Sequence, residues 1–209
     1  MLTAPARLRK RIQQSLYDLA TPIADLPIAG YARPGRQRQR AAAVLIALLT
    51  EPQPNILLTV RARHLAKHPG QIAFPGGSRE QGDHSVVDTA LRETEEETGI
   101  QRTVIEPLGM LGRYDTITGY RMTAVVGWVE QTVEFAPDQN EVDEVFCVPL
   151  SQVTEPACFS LEMIPYQNRE YPLLTLQHPV HRIWGATAAL LYQMGRLLAP
   201  ERAWQDDVI

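Results

Sequence analysis

Cysteine is nearly missing from this chain: Cys147 and Cys158 are the only two in 209 residues. Their spacing fits neither a zinc knuckle nor a disulfide framework, so both read as buried thiols of a reducing compartment and neither is given a function. Long apolar runs are missing too. The longest, Ala41 to Leu49, is too short to cross a bilayer. The basic residues Arg7, Arg9, Lys10 and Arg11 lead into no signal-type apolar core, and the expectation is a cytoplasmic rather than a secreted protein. There is no excess of one charge. Twenty Lys and Arg against 24 Asp and Glu give a net charge of −4, which carries no footprint of a nucleic-acid or membrane partner. Repeats and low-complexity segments are absent. What remains, with 44% hydrophobic and 21% charged residues, is the composition of an ordinary globular protein large enough to bury a core.

The order of elements follows from periodicity. "ARLRKRIQQSLYDLA", Ala6 to Ala20, places Leu8, Ile12, Leu16 and Leu19 at helical spacing and reads as an amphipathic helix. A Pro/Gly/Arg linker then leads into an apolar strand at about 41–49, and "EPQPN" turns the chain into a second strand, "ILLTVRAR". Within that linker Arg36, Arg38 and Arg40 read as solvated charges. Further strands are expected at Val104 to Tyr114, Met122 to Val129 and Glu144 to Val148, and a C-terminal helix from about Thr187. After Phe159 the signals are weak. Strands outnumber helices and surround one central helical segment, which predicts an α+β domain with mixed sheets. The expected organisation is an N-terminal helix and linker over 1–38, one domain over 39–195 and a tail over 196–209.

The central segment, "FPGGSREQGDHSVVDTALRETEEETGI", carries the chemistry. Ser85 followed by Asp88 resembles a capping box, and Gly99 is placed to end a helix of about fourteen residues. Stepping about 100° per residue puts Val87, Ala90, Leu91, Thr94 and Thr98 on a core face. Glu93, Glu96 and Glu97 share another face, while Glu95 points elsewhere. Like charges so spaced cost roughly 0.2–0.5 kcal/mol per pair, and anions near a helix C-terminus oppose its dipole. The helix alone leaves two readings open: a solvated acidic face, or carboxylates gathered for a hard divalent cation. Pro75, Gly76 and Gly77 just before it would form a tight loop whose bare backbone can approach a ligand.

Taken together, Gly77, Arg92, Glu93, Glu96, Glu97, Gly99 and Ile100 resemble the Nudix box of diphosphate hydrolases. The family's order is glycine, five residues, glutamate, seven residues, then Arg-Glu-aliphatic-any-Glu-Glu-any-Gly-aliphatic. Three positions depart from it. Asp83 stands for the first glutamate, eight residues separate it from Arg92, and Thr94 takes an aliphatic place. Upstream, "LLTVRARHLAKHPGQIAFPGG", Leu57 to Gly77, is similar to the signature of the coenzyme A pyrophosphatase group of that family. There Ala66 occupies a position where the group has arginine.

The resemblance implies a Nudix α/β/α sandwich with a mixed β-sheet and additional N- and C-terminal helices. It also implies metal-dependent hydrolysis of the coenzyme A diphosphate to 3′,5′-ADP and 4′-phosphopantetheine. Magnesium or manganese would be held by Glu93, Glu96 and Glu97 with the Gly76 carbonyl, and Arg92 would orient a glutamate. Arg61, Arg63 and Lys67 are the candidate substrate-binding bases; His64 and His68 read as structural or solvated. For the general base "DQNEVDEVFCVPL" offers Glu141 and Glu144, of which Glu141 matches the family better; a surface acidic loop is the competing reading for both. Two other functions stay open: hydrolysis of another diphosphate such as ADP-ribose, a dinucleotide or a nucleoside triphosphate, and nucleotide sensing without turnover.

Overall fold

The computed structural model describes residues 4–19, 40–115, 119–166 and 169–204. Arg36, Arg38 and most of the expected linker lie outside them. The centre is β1, Arg40–Leu49. Its apolar run is buried on both faces, as expected of a strand covered on each side. Val44, Ile46 and Leu48 join one core with Ile12 and Leu190; Ala43, Leu45, Ala47 and Leu49 join another with Ala90 and Ile100. The helix α1, Ala4–Ser15, and the helix α4, Gly185–Leu198, cover the first face. The helix α2, Val86–Thr98, covers the second. This is an α+β protein with an α/β/α arrangement.

One edge of β1 runs parallel to β6, Tyr120–Val129, in register from Arg40↔Tyr120 to Leu49↔Val129, and β5, Glu106–Asp115, closes that side antiparallel to β6. The other edge is forked. At its C-terminal end β1 pairs with β2, Asn55–Arg61, through Leu48 and Leu49. At its N-terminal end Ala42, Ala43 and Val44 pair with the three residues of β4, Gly76–Ser78. Strand β2 turns away to pair with the short β3, Ile72–Ala73, and with β7, Val142–Pro149. The segment β3–Phe74–Pro75–β4 fills the fork, and the Leu45 N–H donates to the Pro75 carbonyl at 2.9 Å. The opening between two halves of one sheet is therefore what holds the glycine loop against α2.

The weak region after Phe159 is a second, three-stranded sheet: β8, Phe159–Tyr166, β9, Arg169–Leu176, and β10, Ile183–Trp184. A short helix α3, Leu150–Val153, precedes it. The first helix ends at Ser15, earlier than the periodicity to Leu19 suggests, and Tyr17 then makes a bridge to Met110. The two thiols are half-buried rather than fully enclosed, and burial pushes that of Cys147 up to about 11.

Candidate active site

Helix α2 begins and ends where its caps require. The Ser85 hydroxyl accepts the Asp88 N–H at 3.1 Å, satisfying one of the donors a helix start leaves free. Gly99 closes the helix at φ 75°, and its N–H returns to the Glu95 carbonyl. Of the expected core face, Ala90, Thr94 and Thr98 are buried, while Val87 and Leu91 are only partly so. Two residues outside it, Thr89 and Glu97, are buried as well. Of the two readings left open by the helix alone, a solvated acidic face does not hold for Glu97, which is 6% exposed. A helical wheel assumes one buried stripe, but α2 is covered by β1 beneath and by β4 at its side.

The two glycines of the loop make that second contact possible. A Cβ at Gly76, whose φ is 155°, would fall 2.3 Å from the Ala43 carbonyl oxygen, and a Cβ at Gly77 would fall 2.3 Å from Glu93 Oε1. No side chain fits at Gly76, where the clash is with backbone; at Gly77 a side chain would displace the Glu93 carboxylate. With none there, the Gly76 N–H reaches Glu97 Oε2 at 3.1 Å.

Arg92 organises the carboxylates. Its Nε and Nη2 hold Asp83 Oδ1 and Oδ2, both at 3.0 Å. Nη2 also donates to Glu93 Oε1 at 3.0 Å and to the Ser78 carbonyl at 3.3 Å, and Nη1 to Glu96 Oε2 at 2.8 Å. Such forked, charge-assisted pairs fix geometry as well as energy. Asp83 is buried and further accepts the Thr89 hydroxyl and the Glu80 N–H, each at 2.9 Å. The Arg92 guanidinium holds the Asp83 carboxyl well below the usual carboxylate range, against the cost of burial. The shorter aspartate and the extra residue before Arg92, two of the departures from the family's box, thus coexist with a complete bidentate pair.

Among the described residues no cation is in direct contact with Glu97. Burial pushes its carboxyl up to about 8; the Gly76 N–H opposes this, the charges of Glu93 and Glu141 add to it, and Arg61 pulls it down. Glu93 is raised in the same direction, first by burial and against the pull of Arg92. Glu96 is the outward member, with its side chain 58% exposed. Among the described residues no three His, Cys, Asp or Glu side chains converge as a ready cation cage; Arg92 and the Gly76 N–H hold these carboxylates instead. The donor set nevertheless fits a hard divalent cation: oxygen ligands only, two of them with carboxyls that burial raises and that an added positive charge would bring down.

The other expected residues separate clearly. Glu141 is exposed, immediately precedes β7, and its charge reaches both Glu93 and Glu97. Glu144 does not join them: its Oε1 lies 3.2 Å from His181 Nε2, beside Phe146, on the α4 side of the sheet. Arg61 is half-buried with its charge on Glu97. Arg63 is 85% exposed and turned toward Asp143; Lys67 is exposed on the same loop. Glu95 leans to Arg102 at 2.7 Å, away from the other three glutamates. Sequence reasoning missed the anchoring part played by Asp83, although its place between loop and helix was a usable signal, and missed Asp143 altogether.

A NUDIX domain family model matches residues 39–167. Among curated relatives, an uncharacterized Nudix hydrolase NudL of Pectobacterium atrosepticum is 36% identical, covering 78% of this chain and 84% of the relative. One of the same description from Escherichia coli is 37% identical, covering 74% and 81%. Among solved structures, the Nudix hydrolase RenU from M. smegmatis superposes with a TM-score of 0.51 at 19% identity over 80% of this chain and 90% of that one, a likeness of fold.

Proposed function

The chain belongs to the NUDIX domain family, and from that premise we propose that it is a metal-dependent hydrolase acting on the diphosphate of coenzyme A. The observation that carries the hydrolase reading is the buried Glu97, held by the Gly76 N–H, with the half-buried Glu93, held by Arg92, beside the same glycine loop. A sensor that only bound a nucleotide would have no use for a carboxylate buried at this cost. The choice of coenzyme A rests on the signature from Leu57 to Gly77, whose basic loop 62–71 adjoins these carboxylates through Arg61.

In this reading Glu93, Glu96 and Glu97, with the Gly76 carbonyl, hold Mg²⁺ or Mn²⁺. When bound, such an ion neutralises charge on the diphosphate and lowers the pKa of the attacking water. The protein supplies the rest. Arg92 keeps Glu93 and Glu96 in place, so that neither has to be ordered when substrate arrives. Glu141, whose side chain is exposed and whose backbone is tied to the Ala62 N–H at 2.8 Å, is the base that takes the proton of the attacking water. Arg63 and Lys67 offer positive charge to the anionic groups of coenzyme A, its 3′-phosphate included.

The test is a substrate panel of coenzyme A, dephospho-coenzyme A, ADP-ribose, a dinucleoside polyphosphate and a nucleoside triphosphate, each with and without Mn²⁺. The expected result is cation-dependent turnover with the highest kcat/KM for coenzyme A. Preference for another member of the panel would leave the hydrolase and reject the substrate.

A further inference from the structure

Arg61 ends β2 at a fault in the sheet. Val60 pairs with Glu144 and Arg61 with Val142, so Asp143 is left without a partner on β2. A bulge of this kind re-aims the side chains around it. Asp143 turns to the start of the following loop, where its Oδ2 accepts the Arg63 N–H at 3.2 Å and lies 3.9 Å from Arg63 Nε. The main chain of Arg61 closes the neck of the same loop: its N–H donates to the Gln71 carbonyl and its carbonyl accepts the Gly70 N–H, each at 2.9 Å. Its side chain then crosses the loop, and Nε donates to the Lys67 carbonyl at 3.0 Å. Inside this frame His68 stands at φ 56°, a conformation that non-glycine residues adopt only where their surroundings hold them.

We propose that Arg61 and Asp143 are positioning residues that hold loop 62–71 as a framed unit, so that Arg63 and Lys67 meet the anionic substrate from fixed places beside Glu141. Arg61 acts here through the loop it braces rather than as a free cation. The same strand end carries Glu141, whose carbonyl accepts the Ala62 N–H at 2.8 Å, and this ties the loop to the residue assigned as base. Lysine cannot substitute for the brace. It keeps the charge but has one donor centre at its tip, whereas the arginine places Nε on a carbonyl while its charge still acts on Glu97.

The consequence for turnover rests on the proposed hydrolysis, but loop order is measurable without substrate. Amide hydrogen exchange of the full chain, followed in peptides spanning 62–72, should be about tenfold faster in Arg61→Lys than in the parent, with α2 and β6 unchanged. Asp143→Ala should loosen the same peptides. With coenzyme A and Mn²⁺, Arg61→Lys should raise KM about tenfold while kcat changes less than about threefold. Unchanged loop exchange in both variants overturns the proposal. So does a raised KM with unchanged exchange, which would make Arg61 a direct substrate contact. If the parent hydrolyses no diphosphate, the exchange result still decides the brace while the functional reading falls. Asp143, exposed at the sheet edge, keeps the test open if Arg61→Lys does not fold.

Discussion

On the α4 face of the central sheet, Leu190, Leu191, Ile46 and Leu48 bury carbon against carbon. On the α2 face, Asp83, Arg92, Glu93 and Glu97 are drawn out of water together. One β-strand serves both, because alternate side chains of β1 point to opposite sides. Apolar burial contributes roughly 25 cal/mol per Å² without regard to direction, whereas buried carboxylates cost stability unless paired and hydrogen-bonded. The α4 face is stabilised by carbon alone, whereas the α2 face has an apolar core of its own and also spends stability on a fixed arrangement of charge.

The largest effect should come from the first face. Leu190 is fully buried, and Leu190→Ala should lower stability by about 2–5 kcal/mol. Thermal unfolding should show this equally with and without Mn²⁺, and kcat per folded molecule should hold. A stability loss that Mn²⁺ abolishes would mean that the two faces are not separate.

The second face should respond in the opposite way. Glu97→Gln and Glu93→Gln should each lower kcat at least about a hundredfold at saturating Mg²⁺, since each removes a charge and keeps the volume. The cation-free protein should meanwhile become more stable at alkaline pH. The sign follows from the raised folded-state value of Glu97, about 8 against an ordinary 4.5. Its contribution to stability is fully present below the ordinary value and is lost as pH rises through about 8. Chemical denaturation of the cation-free parent between pH 5 and 9 should therefore show falling stability, and Glu97→Gln should flatten the slope. Glu95, paired with Arg102 instead, is the control: Glu95→Gln should leave kcat nearly unchanged.

A smaller change should come from the loop. Ala66 is exposed where the coenzyme A pyrophosphatase signature has arginine. If the missing cation met the 3′-phosphate, Ala66→Arg should raise kcat/KM for coenzyme A by about tenfold, the worth of a charge-assisted hydrogen bond, and for dephospho-coenzyme A much less. Equal gains on both substrates would show that this loop does not read the 3′-phosphate.

The parts legible in the sequence were those where local chemistry and tertiary structure agree. Ser85 and Gly99 bound α2 because their caps are local, and β1 and β6 were clear because both faces are covered and their sequences are mostly apolar. The burial of Glu97 could not be read from its place on the wheel, because no wheel records a strand lying beside a helix. The hairpin of β8 and β9 was obscured by Pro165 and Pro172, residues that usually argue against a strand. Its geometry tolerates Pro172 because β10 pairs only with Thr175 and Leu176, leaving β9 unpaired on that side where the proline sits. Local pattern did not separate Glu141 from Glu144, although the resemblance favoured Glu141; a strand's alternation and one bulge at Asp143 send them to different sides. The resemblance named the box, but only the fold shows that Asp83, one carbon short, still grips Arg92.

The central claim is tested most directly by following the oxygen. Coenzyme A incubated with the protein and Mn²⁺ in ¹⁸O water, with products weighed by mass spectrometry, should give 3′,5′-ADP and 4′-phosphopantetheine with one solvent oxygen on one of the two, and no products when the cation is chelated. Label in neither product, cleavage at an amide or thioester, or undiminished turnover under chelation would contradict the account.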